Sequence, residues 1–572
     1  MVVEIKKIKR AIGGRQFGTS TAMDQSPLRP IYGQKKPPCI DGCPNGEKIR
    51  EYLQYIAQSE AYGRDLDESI REGFYIITDT NPFPGVTGRV CPHPCEASCS
   101  RAVKDAAVAI NAVEMFIGDF GIKHNLPLRK LTDEKRKEKV AVVGSGPAGL
   151  SCAYQLARRG YNVTVFEKFE KAGGMLRYGI PGFRLPKDIL DAEIERIKNL
   201  GVEFIFNSTV GNELSVEQLK KDFDAVFIGI GAYNNIPLGI NELGISNVFS
   251  GLEFLVRVNK DELPDLGRHI IVVGCGDSAM DCARTALRLP TTEKVTVVYR
   301  RGREQAPANQ EEINAAIKEG INFEFMAVPV DVNLVDVNNN NIDKKRNGYL
   351  SVSFRKTRLG EKDASGRAQF IMAEDEPEFR LECSSLIAAL GQKPDFSGLE
   401  SLSANLKKGY LNISDKGLIN GEDNVFAGGD VIGFWLVTQA IGSGNSAALS
   451  IHEKLSGEPV PADKSLVINN KDIHLEFYET SQRHERQERE IPEVRGDFQP
   501  VVYGLSKEEF ILEAKRCLSC GMCYDCGNCF MYCSKGCVKM LQKGQHYEFH
   551  LETCNGCAKC FESCPCGYIT MS

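Results

Sequence analysis

Eight cysteines near the end of this 572-residue chain have a spacing typical of metal chemistry. Two runs of four follow the pattern C-x2-C-x2-C-x3-C, and Pro565 directly follows the second run. The first run is Cys523, Cys526, Cys529 and Cys533, and the second is Cys554, Cys557, Cys560 and Cys564. In this pattern three thiolates of one run hold a [4Fe–4S] cluster while the fourth ligates the other cluster. The sequence therefore predicts two clusters in this segment.

The two runs are expected to exchange their last ligand. One cluster takes Cys564 with the first three cysteines of the first run, and the other takes Cys533 with the first three of the second run. Zinc is the competing interpretation, because paired C-x2-C motifs also form zinc sites. Four cysteines outside the pattern are interpreted as spare thiols, with a further metal site at the first two as the alternative: Cys517, Cys520, Cys537 and Cys566.

Five more cysteines lie near the N-terminus, in the spacings C-x3-C and C-x3-C-x3-C. They are Cys39, Cys43, Cys91, Cys95 and Cys99. Five thiols are more than one four-ligand cluster needs and fewer than two clusters need. We therefore expect one N-terminal cluster, and three in the whole chain.

A glycine-rich turn after residue 143 has the chemistry of dinucleotide binding. The segment KVAVVGSGPAGLSCAYQLARRGYNVTVFEK is typical of a βαβ unit. Gly144, Gly146 and Gly149 form GxGxxG, which permits a tight turn, close approach of a pyrophosphate and close packing of helix on strand. Glu167 ends the second strand, where a carboxylate accepts hydrogen bonds from a ribose. A structural turn without a ligand is the alternative.

A second unit about 130 residues later repeats the pattern as HIIVVGCGDSAMDCARTAL followed by KVTVVYRR. Its turn contains Gly274, Cys275, Gly276, Asp277, Ser278 and Ala279, with alanine in place of the third glycine. Arg300 and Arg301 end its second strand, where guanidinium groups suit the 2′-phosphate of NADP and a carboxylate would suit NAD. These arginines would alternatively pair with acids or hold the pyrophosphate of either nucleotide. The sequence favours NADPH and leaves NADH open.

Several further elements position these groups. Residues 1–130 show helical apolar spacing in IREYLQYIAQ and VAINAVEMFIGDF, around a Pro/Gly/Cys loop, which predicts a helical module. The tract VDVNLVDVNNNNIDKKRNG is predicted to be an exposed hairpin loop without chemistry. After Leu455, several prolines and the charge run RHERQERE predict a solvated linker.

Composition narrows the class of protein. Hydrophobic residues make up 42% of the chain and charged residues 26%, as in a globular protein with a large core. The net charge of −6 argues against nucleic-acid or anionic-membrane binding. No signal peptide and no run of about 18 apolar residues is found. We therefore expect a cytoplasmic protein without a membrane span, whose thiols stay reduced.

The two nucleotide units, with GGMLRYGIPGFRLPK and NVFAGGDVIGFWLVTQAIGSGNSAAL, resemble the two-dinucleotide-domain flavoproteins. In that family the first unit holds FAD, an inserted second unit holds NAD(P), and the late GGD segment closes the flavin site. The FAD contacts that this implies are Gly144, Gly146, Pro147, Ala148, Gly149, Glu167, Lys168, Gly174, Leu176, Arg177, Gly231, Asp430, Val437 and Thr438. The NAD(P) contacts that it implies are Gly274, Gly276, Asp277, Ser278, Ala279, Arg300, Arg301 and Gly391.

The motifs PPC-x3-CP and GRVCP-x2-CE-x2-C, with EAKRCLSCG at 513–521, resemble the glutamate synthase small-subunit family. Its larger members, such as dihydropyrimidine dehydrogenase, add an upstream C-x2-C and hold two clusters, one with a non-cysteine ligand. This chain lacks that upstream pair. The non-cysteine position falls on Glu114, for which a surface carboxylate is the alternative. The resemblance implies Cys43, Cys91 and Cys95 as ligands, with Cys99, Cys39 or Glu114 as the fourth.

These resemblances imply an α/β fold with two nested Rossmann-like dinucleotide-binding domains, preceded by a helical iron–sulfur domain and followed by a linker and a ferredoxin-like domain. The expected boundaries are 1–130 for the helical domain, 131–245 with 390–457 for the FAD domain, 246–389 for the NAD(P) domain, 458–512 for the linker, and 513–572 for the ferredoxin-like domain.

The expected function follows from electron counting. Nicotinamide gives up two electrons as hydride and a cluster accepts one, while a flavin does both. The ferredoxin tail is most similar to the DsrL-type flavoproteins that accompany dissimilatory sulfite reductase, which implies this reductase or a ferredoxin as partner, in sulfur metabolism. The alternatives are a glutamate synthase small subunit, the NAD(P)H:ferredoxin module of another anaerobic reductase, and a relay with vestigial nucleotide sites. A homodimer is left open.

Overall fold

The chain opens with a helical domain. The computed structural model describes residues 26–212, 214–241, 244–335, 349–362, 366, 368–433, 436–460, 463, 465–490 and 496–572. The first elements are β1 (Pro30–Tyr32), α1 (Pro38–Asp41), α2 (Ile49–Ala57), α3 (Leu66–Thr78), α4 (Pro84–Val90), α5 (Pro94–Ala97) and α6 (Ile110–Lys123). Helices α4 and α6 touch backbone to backbone, since a Cβ added at Gly118 would lie 2.3 Å from the Gly85 nitrogen. This contact brings Glu114 on α6 close to the cysteine loop that follows α4.

The first parallel sheet begins after this domain. Its elements are β2 (Lys139–Val143), α7 (Pro147–Ala157), β3 (Asn162–Phe166), α8 (Met175–Tyr178), α9 (Lys187–Lys198), β4 (Glu203–Ile205), α10 (Val216–Asp222), β5 (Ala225–Ile228) and β6 (Asn234–Asn235). The last four residues of β2 are buried. A continuous apolar run of this kind suits a parallel strand that is covered on both faces.

A second parallel sheet is inserted next. Its segment contains β7 (Val248–Ser250), α11 (Gly251–Val258), β8 (His269–Val273), α12 (Asp277–Leu287), β9 (Lys294–Tyr299), α13 (Gln310–Lys318), β10 (Asn322–Phe325), β11 (Ala327–Val335), β12 (Tyr349–Lys362), β13 (Ala368–Met372), β14 (Phe379–Cys383), β15 (Ser385–Ala388) and β16 (Gln392–Lys393). The parallel order is β10-β9-β8-β15-β7, and β12 pairs antiparallel with β11, β13 and β14. The first six residues of the predicted hairpin loop, 330–335, belong instead to strand β11, where Val332 is buried, and the remaining thirteen, 336–348, lie outside the described residues.

The chain then returns to the first sheet. It forms β17 (Leu406–Lys407), β18 (Tyr410–Leu411), β19 (Val425–Ala427) and α14 (Val437–Ser456). Strand β19 pairs parallel with β5 and completes the order β19-β5-β2-β3-β4. Strands β6 and β16 pair where the chain leaves and re-enters the first unit. The predicted α/β class with two nested sheets is confirmed.

The segment after α14 packs against the other domains, unlike the solvated linker that the charge run predicted. Arg483 pairs with Glu96 at 2.8 Å, and Arg486 donates a hydrogen bond to the Gly88 carbonyl. Both arginines contact the helical domain because it presents a carboxylate to Arg483 and a backbone carbonyl to Arg486. Helix α15 (Lys507–Ala514) follows.

The tail closes on the beginning of the chain. It contains α16 (Asn528–Met531), β20 (Val538–Met540), β21 (Tyr547–Phe549), α17 (Lys559–Glu562) and β22 (Ile569–Met571). Strand β22 pairs antiparallel with β1, with Met571 opposite Pro30. One apolar core joins the helical domain, the first sheet and α15, and it includes Ile77, Leu150 and Phe510. No helix in the described part of the chain is both long enough and apolar enough to cross a membrane.

Candidate functional site

A cavity of about 1170 Å³ opens at the carboxyl ends of β2 and β5. Open α/β sheets bind their ligands at this edge. Eleven of the residues predicted to contact FAD line the cavity: Gly144, Gly146, Pro147, Ala148, Glu167, Lys168, Gly174, Leu176, Gly231, Asp430 and Val437. The structure thus brings together residues that are almost 300 positions apart in the sequence.

The glycine-rich turn has the shape that a bound pyrophosphate requires. A Cβ added at Gly146 would meet no atom within 4 Å, because this residue faces open space. A Cβ at Gly149 would lie 2.0 Å from the Gly144 carbonyl oxygen, so only glycine lets α7 approach β2. Gly149 therefore lies beneath the turn rather than in the cavity lining. The cradle fits a dinucleotide phosphate at the N-terminus of α7.

Glu167 is fixed beside this turn. Its carboxylate accepts hydrogen bonds from the Ser145 and Phe169 backbone nitrogens, both at 2.9 Å. Lys168 lies at the same edge with its Nζ 3.6 Å from the centre of the Tyr233 ring, and burial lowers the pKa of its ammonium. Sequence analysis missed Tyr233 and Asp395, which also line the cavity. Tyr233 directly follows the glycine-rich end of β5, which is a usable signal.

Arg177 does not lie in the cavity lining, although the resemblance placed it on FAD. Its guanidinium donates to the Ala172 carbonyl at 2.5 Å and pairs with Asp191 on α9. The family resemblance could not predict that Arg177 pairs with Asp191, because this contact depends on where α9 packs.

Three N-terminal cysteines share one site with two carboxylates. Burial, followed by the charges of Glu47 and Glu114, raises the pKa of the Cys43 thiol to about 12. Burial and Glu114 likewise raise the pKa of Cys91 to about 12. Cys95 is within electrostatic range of both Cys43 and Cys91. Thiols that resist ionisation in the protein alone suit a cationic iron–sulfur core, which would hold them as thiolates.

Glu114 is 7% exposed, so the surface alternative for this residue is wrong. Its carboxylate accepts hydrogen bonds from Thr87 Oγ1 and from Asn81 Nδ2, and the same Asn81 nitrogen donates to Glu47. Burial, and then Glu47, hold the pKa of Glu114 well above its usual range. Sequence analysis missed Glu47, although it follows Cys43 by four residues. The residues that fit a [4Fe–4S] cluster here are Cys43, Cys91, Cys95 and Glu114.

Helix α14 connects this thiol site with the dinucleotide cavity. Val437 lines the cavity, and the next residue, Thr438, has its Oγ1 3.5 Å from Cys91 Sγ. At Gly442 an added Cβ would lie 2.6 Å from the Pro44 carbonyl oxygen, so α14 lies directly against the Cys43 loop. Thr438 therefore faces the thiols, which explains why it is not part of the cavity lining.

The other two N-terminal cysteines lie elsewhere, which corrects the expectation that all five compete for one site. Cys39 and Cys99 line a separate cavity of about 350 Å³ together with Cys517 and Cys520. Cys39 lies within α1 and Cys43 follows that helix, while Cys95 lies within α5 and Cys99 follows that one. Cys39 is thereby separated from Cys43, and Cys99 from Cys91 and Cys95.

The tail brings together the two sets of cysteines that the spacing predicts. One set lines a cavity of about 340 Å³ and consists of Cys533, Cys554, Cys557 and Cys560, joined by Cys537. In the other set, burial and then the neighbouring Cys564 and Cys529 raise the pKa of Cys526. Cys523 is within electrostatic range of Cys526 and Cys529. Sequence analysis missed Cys537, whose backbone nitrogen donates to Cys533 Sγ at 3.2 Å.

The second glycine-rich turn lies at the carboxyl ends of β8 and β15. Gly274, Gly276, Asp277, Ser278 and Ala279 form the turn into α12, and Gly391 follows the neighbouring strand β15. Arg300 is exposed, with its guanidinium 4.8 Å from the Phe370 ring centre. Arg301 is 9% exposed and donates to the Ala368 carbonyl, so β13 holds it inside the protein. Of the two arginines, Arg300 is better placed for a 2′-phosphate.

Residues 138–444 match the family described as pyridine nucleotide-disulphide oxidoreductase. The chain belongs to this family. Residues 16–126 match the dihydropyrimidine dehydrogenase domain II, 4Fe-4S cluster family. The protein is a flavin- and iron–sulfur-dependent NAD(P)H oxidoreductase. Cys275 and Cys282 are both buried in the second unit.

Three curated relatives show which proteins this chain is similar to. It is 34% identical over 524 residues to NADPH-Fe(3+) oxidoreductase subunit beta of Geobacter sulfurreducens, covering 84% of this chain and 75% of the relative. It is 35% identical over 517 residues to NADP(+)-dependent formate dehydrogenase subunit beta of Moorella thermoacetica, covering 84% and 70%. It is 32% identical over 432 residues to the glutamate synthase [NADPH] small chain of Escherichia coli, covering 72% and 87%. The resemblance to the glutamate synthase small-subunit family is confirmed.

Proposed function

We propose that this chain accepts electrons from NADPH at a bound FAD and delivers them singly, through [4Fe–4S] clusters, to a partner protein. The observation that carries the proposal is the contact between Thr438 Oγ1 and Cys91 Sγ, because Val437 on the same turn lines the dinucleotide cavity. A flavin in this cavity would be separated from the first set of thiols by one turn of α14. When bound, FAD supplies the conversion between two-electron and one-electron chemistry.

In this scheme the side chains of the protein bind and orient the dinucleotide and shield the electron path from water. The turn at Gly146 leaves room for the pyrophosphate, Glu167 is placed for the ribose, and α14 excludes water between the cavity and Cys91. Arg300 is proposed to select NADPH through the 2′-phosphate. The three relatives described above carry NADPH or NADP(+) in their names, which supports this preference.

An apolar surface beside the tail thiols is the proposed exit for electrons. Phe530, Met531 and Tyr532 are 45%, 59% and 43% exposed, and they lie between Cys529 and Cys533. Adjacent exposed apolar side chains of this kind mark a protein interaction surface. The partner is therefore a small one-electron carrier or a reductase that docks here.

Dissimilatory sulfite reductase is the partner that the DsrL-type resemblance implies, with a role in sulfur metabolism in the cytoplasm. The relatives named above are instead subunits of ferric-iron, formate and glutamate enzymes. A glutamate synthase small subunit is the second candidate function, because the match extends over 87% of that relative. Its alignment leaves over a quarter of this chain unmatched.

Anaerobic stopped-flow reduction tests the proposal. NADPH and NADH are added in parallel, and flavin and cluster absorbance are followed. We expect both to bleach, faster with NADPH, and we expect Arg300→Ala to reduce that preference about tenfold. Reduced protein is then mixed with ferredoxin, with sulfite reductase, or with a glutamate synthase large subunit. A spectrum that neither NADPH nor NADH changes contradicts the proposal. Glutamate formation with the large subunit supports the second candidate.

A further inference from the structure

Four cysteines from distant parts of the chain surround one cavity. Cys39 and Cys99 come from the helical domain, and Cys517 and Cys520 come from the segment after α15. Burial, followed by the neighbouring thiols of Cys517, Cys520 and Cys99, raises the pKa of Cys39 well above its usual range. The cavity measures about 350 Å³, and the cavity around the ferredoxin-spaced cysteines of the tail measures about 340 Å³. The tail cavity is lined by the four cysteines that the spacing assigns to one cluster and by Cys537, so cysteines surround a space of similar size in both places.

Buried hydrogen bonds hold the C-terminal pair against the helical domain. Gln54 on α2 donates to the Cys517 carbonyl at 3.1 Å, and Arg50 donates to the Cys520 carbonyl at 2.8 Å. Arg101 donates to the Arg516 carbonyl at 2.6 Å. The segment is fixed in the geometry that places both sulfur atoms at the cavity.

Arg50 indicates that the occupant accepts hydrogen bonds. It lines the cavity with its side chain 3% exposed, and its Nε has no hydrogen-bond partner among the described residues. Its Nη2 already pairs with Glu51 Oε1 at 2.5 Å, but a buried N–H without a partner is costly. Four thiolates around a [4Fe–4S] core offer sulfur acceptors, so this cluster would accept a hydrogen bond from the Nε.

The spacing of the sulfur atoms argues against a single zinc ion. Zinc–sulfur bonds of about 2.3 Å in a tetrahedron place the sulfur atoms about 3.8 Å apart. Within the described part of the chain, no three of these four sulfur atoms lie within 4.8 Å of one another. A cubane spreads its four ligands further apart and fills the space between them.

We propose that Cys39, Cys99, Cys517 and Cys520 hold a fourth [4Fe–4S] cluster, assembled from two segments about 420 residues apart. The buried Tyr52 is within electrostatic range of both Cys95 and Cys39, and the buried Tyr478 is within range of both Cys520 and Cys566. The four-cysteine cavity therefore lies between the thiols beside α14 and the thiols of the tail. The proposed function requires electrons to cross this region, and the fourth cluster would occupy it.

Iron counting on the full chain, purified anaerobically, tests this site without relying on turnover. Three clusters account for about 12 irons per chain, and the fourth raises the count to about 16. We expect Cys517→Ala/Cys520→Ala to lose about four irons and one Mössbauer quadrupole doublet. Cys383→Ala removes a buried thiol of the second nucleotide unit and is the matched control, expected to lose none.

Each alternative result overturns the inference. A wild-type count near 12 excludes the fourth cluster, and so does a double variant that keeps all 16 irons. One zinc per chain that disappears in the double variant shows that the site is a zinc site. FAD content reports on folding, and if the double variant fails to retain FAD, single Cys39→Ser and Cys99→Ser variants are counted instead. Failure of NADPH reduction with 16 irons present would contradict the proposed function and leave this site intact.

Discussion

The carboxyl group of Glu193 illustrates how a single buried side chain makes local stability depend on pH. It is fully buried and accepts hydrogen bonds from the Gly85 and Val86 backbone nitrogens at the start of α4. Burial raises its pKa from 4.5 to about 7, against the opposing charge of Arg196. The folded protein thus holds this proton at a pH where the unfolded chain has lost it.

The direction of the pH effect follows from this shift. The stabilisation from protonated Glu193 is complete below pH 4.5 and disappears as the pH rises through about 7. Its size is about 3 kcal/mol at most. We expect Glu193→Gln, which cannot ionise, to remove most of the pH dependence of hydrogen-exchange protection in α4. Rates are corrected for intrinsic exchange, and equal pH slopes in the variant and the wild type would contradict the prediction.

Two glycines of the first turn separate folding from cofactor binding. A methyl group at Gly149 would collide with the Gly144 carbonyl oxygen at 2.0 Å, whereas one at Gly146 meets nothing within 4 Å. Overpacking costs about 1–3 kcal/mol. We expect Gly149→Ala to weaken FAD binding at least about tenfold and to lower the melting temperature. Gly146→Ala is expected to keep the wild-type melting temperature of the FAD-free protein but to weaken FAD binding, because its methyl group would occupy the space left for the pyrophosphate. FAD retention is measured by fluorescence after release.

Helix α14 is the element through which the dinucleotide cavity and the first thiol site are coupled. The Thr438 hydroxyl is within hydrogen-bond distance of Cys91 Sγ. Hydrogen bonds to ligand sulfur raise the reduction potential of an iron–sulfur cluster, because they stabilise the more negative reduced form. We expect Thr438→Val to lower the reduction potential of the cluster held by Cys91 in an EPR-monitored redox titration. Thr438→Ser keeps the hydroxyl and should restore it, and equal potentials in all three proteins would contradict the role of this contact.

Sequence analysis succeeded where the chemistry is local. The GxGxxG turn, the strand before it and the helix after it lie within one short segment, so their arrangement follows from residue type and spacing. The two sets of tail thiols are equally local, and the structure groups them as the spacing predicts.

Tertiary packing decided the features that sequence analysis missed. Arg177 was assigned to FAD, but Asp191 on a neighbouring helix holds it. The division of Cys39 from Cys43 depends on a segment that returns from residue 517, and no local pattern contains that information. The charged run near Arg483 was interpreted as solvated because its acidic partner, Glu96, is almost 400 residues away.

At the scale of the whole molecule, a buried ion-pair network joins the C-terminal segment to the helical domain. Arg516 is 2% exposed, pairs with Glu513 at 2.6 Å and Asp105 at 3.0 Å, and donates to the Ala107 carbonyl. Glu513 is fully buried and also accepts a hydrogen bond from the Ala109 nitrogen. Removal of the guanidinium leaves this buried carboxylate without its strongest counter-charge.

We expect Arg516→Ala to lower the free energy of unfolding by about 3–5 kcal/mol. Lys507→Ala is the control, since its pair with Asp67 is exposed and is worth less than about 1 kcal/mol. Both variants are compared by denaturant unfolding with tyrosine fluorescence under anaerobic conditions. Similar midpoints for the two variants would show that the network contributes little.

The route of the chain also sets an order of events during synthesis. Cys39 and Cys99 leave the ribosome long before Cys517 and Cys520, and translation at about 5–20 residues per second makes the delay roughly 20–80 s. The strand that pairs with β1 is made later still. During that interval the two early thiols are accessible to oxidants and to stray metal ions. A cell that makes this protein would need to keep the nascent chain reduced until Cys517 and Cys520 have folded back onto the helical domain.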